Sequence, residues 1–294
     1  MKIAIYGRPE NTTLSPYIKN LFLKLTALNV TFLLHEPFYN YLKSVINVDV
    51  TNINTFKSNE LLKHKIDYLL SIGGDGTFLE TISLVKDSGI PILGINTGRL
   101  GFLASVSKDE INTALESLMN KEYTLDQRVL LRLETENKLF GNVNYALNEI
   151  TIHKKDSSAM ISIHAYLNGE YLNSYWADGL IISTPTGSTA YSLSCGGPIV
   201  IPDSENFIIT PIAPHNLNVR PIVIPDNNTI TLKVEGRSPN YLVSLDSRSE
   251  IIDSSVELTV KKENFKISLL KLNSQNFLNT IRNKLMWGID KRNY

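Results

Sequence analysis

The sequence has little of what marks several large classes of protein. It holds one cysteine, Cys195, in 294 residues. Neither an intrachain disulfide nor a CxxC-type zinc site can be built from one thiol. That suits a reducing compartment, and a cytoplasmic location is expected. There is no excess of either charge: 29 Lys and Arg balance 29 Asp and Glu. Nucleic-acid-binding proteins usually carry a basic surplus, and membrane-surface proteins a polybasic stretch, so neither partner is expected. No apolar run approaches the roughly 18 residues that would suggest a transmembrane helix. The opening MKIAIYGRPE is apolar for only a few residues before Gly7, Arg8 and Pro9. This is too short for a signal-peptide core, and Ile3–Tyr6 reads instead as a buried strand.

Several motifs are missing too. There is no Walker GxxxxGK[ST] and no GxGxxG; Gly94, Gly98 and Gly101 have the wrong spacing. An EF-hand loop, HExxH and a GxSxG elbow are also absent, so a dedicated cation cage and a serine hydrolase lack support. No set of protein metal ligands is expected.

What is present changes character near residue 125. Before it, short apolar runs (Ile3–Tyr6, Val30–Leu34, Ile66–Ile72, Pro91–Ile95) alternate with helical spacing, as in Ile18, Leu21, Phe22 and Leu25. Ser107 and Glu110 form a capping box ahead of Ile111, Leu115 and Leu118. Strands alternating with helices imply an α/β domain with a parallel sheet, residues 1–124. From 125 to 269 the period becomes two. Ile161, Ile163, Ala165 and Leu167 alternate with polar residues, as do Ile230, Leu232 and Val234, then Val256, Leu258 and Val260. Turn signals such as Asn168-Gly169 separate the runs. This half reads as an all-β sandwich. Phe277, Ile281 and Leu285 return to helical spacing, and the segment 270–294 is expected to pack back on the first domain. A ligand cleft is expected between the two domains.

Two constellations carry chemistry. Gly73-Gly74-Asp75-Gly76-Thr77 follows the third strand and opens a helix. Glycines there free the backbone to approach a phosphate, and the helix N-terminus favours anions. A carboxylate in such a loop would repel phosphate, so Asp75 is expected to meet a hydroxyl, a bound metal ion, or both. The same residues also fit a plain tight turn with an Asp cap. The second constellation, Asp178–Tyr191, is an apolar run entering a loop dense in hydroxyls (Ser183, Thr184, Thr186, Ser188, Thr189). Its amides and hydroxyls suit a nucleotide, and Tyr191 could stack on a base. A helix cap at Ser188 or Thr189 is the structural alternative.

These segments resemble the NAD kinase family. Gly73–Thr77 is similar to its GGDGT segment, Asn148-Glu149 to its NE pair, and Asp178–Tyr191 to its DGL…TPTGSTAY segment. Thr210–His215 with Arg220-Pro221 is similar to its PI-PH…RP segment, and Val243–Asp246 to a strand ending in Asp-Gly, with Ser247 departing from that glycine. The resemblance implies a phosphofructokinase/diacylglycerol-kinase-like first domain and a β-sandwich NAD-binding domain. It implies phosphoryl transfer from ATP, or polyphosphate, to the adenosine ribose 2′-hydroxyl of NAD. Asp75 would accept the proton, and Gly73, Gly74, Gly76 and Thr77 would hold phosphate. Asp75 and Gly76 would also touch the NAD. So would Asn148, Glu149 and Asp178; then Thr186, Gly187, Ser188, Thr189, Ala190 and Tyr191; then Ser194 and Ala213. Mg²⁺ or another divalent ion would arrive with the nucleotide, and a homodimer or homotetramer is implied.

Two other readings compete. A lipid kinase of the diacylglycerol or sphingosine type shares a GGDG-like loop, but TPTGSTAY and PIAPH favour the NAD kinase. A non-catalytic nucleotide sensor is disfavoured by the intact Asp75. Cys195, beside Gly196-Gly197, reads as a packed small residue, not a catalytic thiol. His215 is the one histidine inside a motif, with a ligand role and a structural bond both open.

Overall fold

The computed structural model describes residues 1–9, 15–44, 52–98, 101–155, 160–273 and 275–286. The chain divides into two compact units, Met1–Gln127 with Ile267–Tyr294, and Arg128–Lys266.

The first unit is built on strands β1 (Lys2–Gly7), β2 (Thr31–His35), β3 (Asn54–Phe56), β4 (Tyr68–Ile72), β5 (Ile92–Asn96), β6 (Val106–Ser107) and β7 (Tyr123–Arg128). Helices α1 (Ser15–Ala27), α2 (Glu36–Ser44), α3 (Asp75–Val85) and α4 (Ile111–Asn120) connect them. β1, β2, β4 and β5 pair in parallel. Parallel strands covered by helices are buried on both faces, which is why their sequences are continuous apolar runs. α1 turns Ile18, Leu21 and Leu25 into the core, against Ile3, Ile5 and Leu70. The capping box of Ser107 and Glu110 forms as expected.

The second unit holds β8 (Leu131–Glu134), β9 (Tyr145–Ala146), β10 (Glu149–Lys154), β11 (Ile161–Leu167), β12 (Glu170–Ala177), β13 (Gly179–Ser183), β14 (Asn206–Ile212), β15 (Ile222–Pro225), β16 (Ile230–Gly236), β17 (Asn240–Leu245), β18 (Arg248–Asp253) and β19 (Leu258–Lys262). A short helix, α5 (Tyr191–Ser194), follows β13. Two antiparallel sheets run β15-β14-β13-β10-β17-β18 and β12-β11-β16-β19-β8-β9. Their inward residues share one core, with Ile150, Ile182 and Phe207 from the first sheet and Ile163, Leu232 and Val260 from the second. Asn168 and Gly169 both take positive φ (51° and 86°) in the two-residue β11–β12 turn, the geometry that such hairpins favour.

The chain then returns to the first sheet. β20 (Ile267–Leu272) pairs in parallel with β5, Leu269 opposite Ile92. The alternating pattern was expected to run to residue 269, which falls inside this strand. Its sequence, ISLLKL, is buried at five of six positions, the signature of β1 and β5 rather than of a half-exposed strand. Helix α6 (Phe277–Leu285) follows, capped by the Asn276 side chain accepting from the Leu278 N–H at 2.9 Å. Residues 274 and 287–294 of the expected segment 270–294 lie outside the described residues.

Candidate active site

In the first unit, β4 runs into the glycine turn and α3 begins at Asp75. Gly73 has φ of +153°, and a Cβ there would sit 2.3 Å from the Thr77 hydroxyl. Glycine is thus required where Thr77 folds under the loop. A Cβ on Gly74 would meet nothing within 4 Å, and one on Gly76 only Arg8, at 3.9 Å. The loop's outer side therefore has open space beside a helix N-terminus, as an anion site needs. Arg8 is tied to Glu80 at 2.6 Å, and the Tyr6 hydroxyl donates to the same carboxylate at 2.7 Å.

Asp75 does more than cap its helix. Its Oδ2 accepts from the Phe102 N–H at 2.8 Å, and its Oδ1 from the N–H groups of Leu103 (3.1 Å) and Ala104 (2.9 Å). The plain-turn reading is thus incomplete, because the side chain reaches across to a loop some 27 residues later. Gly101 makes room for it: a Cβ there would lie 1.9 Å from Oδ1. The Lys284 ammonium, from α6, stands 3.6 Å from Oδ2 and 4.5 Å from the centre of the Phe102 ring. Sequence reasoning missed Lys284, since nothing local ties it to a residue 209 positions earlier.

In the second unit, Asn148 and Glu149 lie at the start of β10, wedged from two sides. On one side, Thr184 donates its hydroxyl to the Leu147 carbonyl (2.6 Å) and its N–H to the Asn148 carbonyl (2.9 Å). Gly187 packs so closely that a Cβ would fall 2.1 Å from the Asn148 oxygen. On the other side is the β17–β18 turn. Asp246 Oδ2 accepts from the Leu147 N–H at 2.9 Å, and Oδ1 from those of Asn148 (2.9 Å) and Glu149 (3.1 Å). Asp246 itself carries the positive φ (52°) of this turn. Ser247 does not, so glycine's conformational freedom is not needed at that position.

The hydroxyl-rich loop is largely turned inward. Ser188 donates to the Pro185 carbonyl (2.7 Å), Thr186 accepts from Arg128 (3.0 Å), and Ser192 bonds to Thr210 (2.8 Å). The alternative of a helix cap at Ser188 or Thr189 is not met at α5: Ala190 precedes the helix, without a side-chain cap bond. Tyr191, Ser194 and Ala213 are exposed, while Thr189 and Ala190 are half-buried. Asp178 pairs with Lys154 at 2.5 Å. His215 is exposed beside Trp176, ring centres 5.2 Å apart.

The electrostatics of the second unit centre on Glu149. Burial and the neighbouring Asp246 push its carboxyl up to about 8. The Tyr191 backbone N–H bonds to it, while its buried Oε2 has no partner among the described residues. Burial also raises the Cys195 thiol, which bonds to the Tyr191 phenol. A raised thiol is mostly protonated and a poor nucleophile.

Comparison with known proteins joins the two units. Residues 3–123 match the ATP-NAD kinase N-terminal domain and residues 147–272 the ATP-NAD kinase C-terminal domain. An NAD kinase of Cytophaga hutchinsonii is 50% identical over 293 residues, covering all of both chains. One of Flavobacterium psychrophilum is 52% identical over 296 residues, again covering all of both. Among solved structures, an Archaeoglobus fulgidus NAD kinase in complex with ATP aligns with a TM-score of 0.78 and 26% identity, over 97% of this chain and 99% of that one. The fold is also that of yeast NADH kinase complexed with NADH, at a TM-score of 0.87 and 23% identity, over 99% and 88% of the two chains. Neither the lipid-kinase nor the sensor alternative is favoured by these matches. Matched by both domain models and half identical to its relatives from end to end, this chain belongs to the NAD kinase family.

Proposed function

We propose that the chain transfers the γ-phosphate of ATP to the 2′-hydroxyl of the adenosine ribose of NAD, giving NADP and ADP. The observation that carries this reading is end-to-end similarity to NAD kinases, with GGDGT and TPTGSTAY intact. A ribose hydroxyl is a weak nucleophile at neutral pH. The chain's tasks are to align it and to answer charge developing on the phosphoryl group. In a loose transition state the hydroxyl proton leaves late, so Asp75 first orients the hydroxyl and then takes the proton. Its oxygens already accept three amide bonds, two on Oδ1 and one on Oδ2, which leaves one acceptor position, on Oδ2, for the hydroxyl.

The amides of Gly74 and Gly76, with open space before them, are assigned to donor phosphate, and Gly73 and Thr77 to the shape of the loop. Asn148, Glu149, Asp178, Ala190, Tyr191, Ser194 and Ala213 are assigned to NAD. Thr186, Gly187 and Ser188 support that segment from beneath. Among the described residues no group of three or more His, Cys, Asp or Glu could hold a metal ion. The divalent ion is taken to arrive with the triphosphate, where it would neutralise phosphate charge. Among the described residues no helix is long and apolar enough to cross a membrane. A cytoplasmic homodimer or homotetramer remains part of the proposal.

The test is direct. The protein is mixed with NAD, ATP and Mg²⁺, and NADP is read with an NADP-specific dehydrogenase. NADP should accumulate with time and enzyme. No NADP with ATP, other nucleoside triphosphates or polyphosphate would overturn the reading.

A further inference from the structure

The mechanism above leaves one carboxylate unused. Asp246 lies in the turn after β17, and both its oxygens accept backbone N–H groups, from Leu147 on one and from Asn148 and Glu149 on the other. Its own N–H donates to the Glu149 carbonyl at 3.0 Å. Behind it, Arg248 fixes the preceding segment by donating to the Val143 and Tyr145 carbonyls and attracts the Asp246 charge.

Glu149 is the contrasting member of the pair. Among the described residues its buried Oε2 has no partner, and neither has the hydroxyl of Ser183, directly opposite across the β10–β13 ladder. Residues facing each other in a ladder share one face of the sheet. Two unsatisfied oxygens on one face are expensive unless a ligand or water meets them. Two neighbouring carboxyls also resist ionising together. A proton on Oδ1 of Asp246 would displace an amide donor and one on Oδ2 would sit beside the Leu147 N–H, whereas Oε2 of Glu149 holds no donor among the described residues.

We propose that Asp246 is a positioning residue of the dinucleotide site: it fixes the Leu147–Glu149 backbone and leaves the Glu149 carboxyl to meet NAD as a neutral hydrogen-bond donor. The inference rests on the function proposed above and deepens it. The groups facing Glu149 agree with this assignment. Asp246 and burial raise its carboxyl to about 8, and only the Tyr191 N–H lowers it. The Tyr191 phenol and the Cys195 thiol are themselves raised, hence neutral, and Asp178 beyond Tyr191 adds further negative charge. Burial raises Asp246 as well, while its three amides and Arg248 pull it back. A carboxylic acid kept neutral at neutral pH so that it can donate is a known device in enzyme sites.

The sign follows from the raised value. Below about pH 8 Glu149 is neutral and donates; as the pH rises through that value it ionises and the contact is lost. NAD carries no group that titrates there. Calorimetric titration of the full-length protein with NAD from about pH 6.5 to 9.5 should show affinity falling by about tenfold or more, with a midpoint near 8. Glu149→Gln, neutral at every pH, should flatten the profile. Asp246→Asn should weaken NAD binding by about tenfold or more and move the midpoint down by about one unit, without changing KM for ATP more than about twofold. A purely structural role would lower affinity without moving the midpoint. If Asp246→Asn does not fold, the wild-type and Glu149→Gln profiles still decide the matter. A flat wild-type profile, or an unchanged slope in Glu149→Gln, overturns the inference alone. Failure of the wild-type protein to bind NAD or form NADP overturns the proposed function, and this inference with it.

Discussion

The two units use the same device to different ends. In each, one aspartate gathers three consecutive backbone N–H groups of a distant loop: Asp75 those of residues 102–104, Asp246 those of residues 147–149. Each has a cation in electrostatic reach, Lys284 for Asp75 and Arg248 for Asp246. The differences separate a reacting group from a support. Asp75 opens a helix beside glycines with open space before them, and its cation sits at 3.6 Å on a side chain about one-third exposed. Asp246 lies in a hairpin, and its cation is spent on two carbonyls. A carboxylate that must exchange partners during a reaction needs loose ones. A carboxylate that only holds a strand in place does better with fixed ones.

The widest separation between the two should appear at Asp75. Asp75→Asn keeps one acceptor oxygen for the 102–104 amides but removes the proton acceptor. Turnover should fall by about 10²–10⁴-fold, the usual contribution of a general base. NAD affinity measured by titration should stay within a few-fold. Full activity in this variant would leave Asp75 with the same holding role as Asp246, and the contrast would collapse.

How much of this contrast the sequence disclosed depends on distance along the chain. The apolar runs of β1, β2, β4 and β5 and the alternation in β11 and β16 are local patterns, and each element forms within a few residues of where its pattern lies. Asp75 was visible because the glycines around it are local as well. Its bonds to residues 102–104 were not, and the room that Gly101 gives the carboxylate shows only in the folded chain. The boundary at 269 falls inside β20, because a short run such as ISLLKL fits either sheet until its neighbours are known. The TPTGSTAY hydroxyls point to ligand contact, yet Thr184 and Ser188 are used internally. Sequence gives a hydroxyl's presence but not the carbonyl that claims it.

A smaller effect should mark the wedge on the second clamp. A Cβ on Gly187 would fall 2.1 Å from the Asn148 oxygen and 2.5 Å from its carbonyl carbon. Backbone atoms held by Asp246 and Thr184 cannot yield as a side-chain end can. Gly187→Ala should destabilise the protein by about 1–3 kcal/mol, the range for overpacking, and weaken NAD binding. Thermal unfolding and NAD titration would read both. Unchanged stability and unchanged affinity would show that the 147–149 segment is as pliable as the Asp75 loop.

The smallest effect is expected at Lys284. The ammonium is shared between a carboxylate at 3.6 Å and the Phe102 ring at 4.5 Å, and both members of the ion pair are about one-third exposed. Pairs of this kind contribute about 0–1 kcal/mol, because solvent screens them and two side chains must be held in register. Lys284→Gln keeps the stem over Phe102 and removes the charge. Unfolding in urea should show a loss of no more than about 1 kcal/mol, with the 102–104 amides still bonded to Asp75. The amides, being fixed backbone donors, hold the carboxylate; the ammonium only shades its charge. A loss of several kcal/mol, the cost of breaking a buried pair, would instead make Lys284 as firm a partner as Arg248 and give the two clamps the same rigidity.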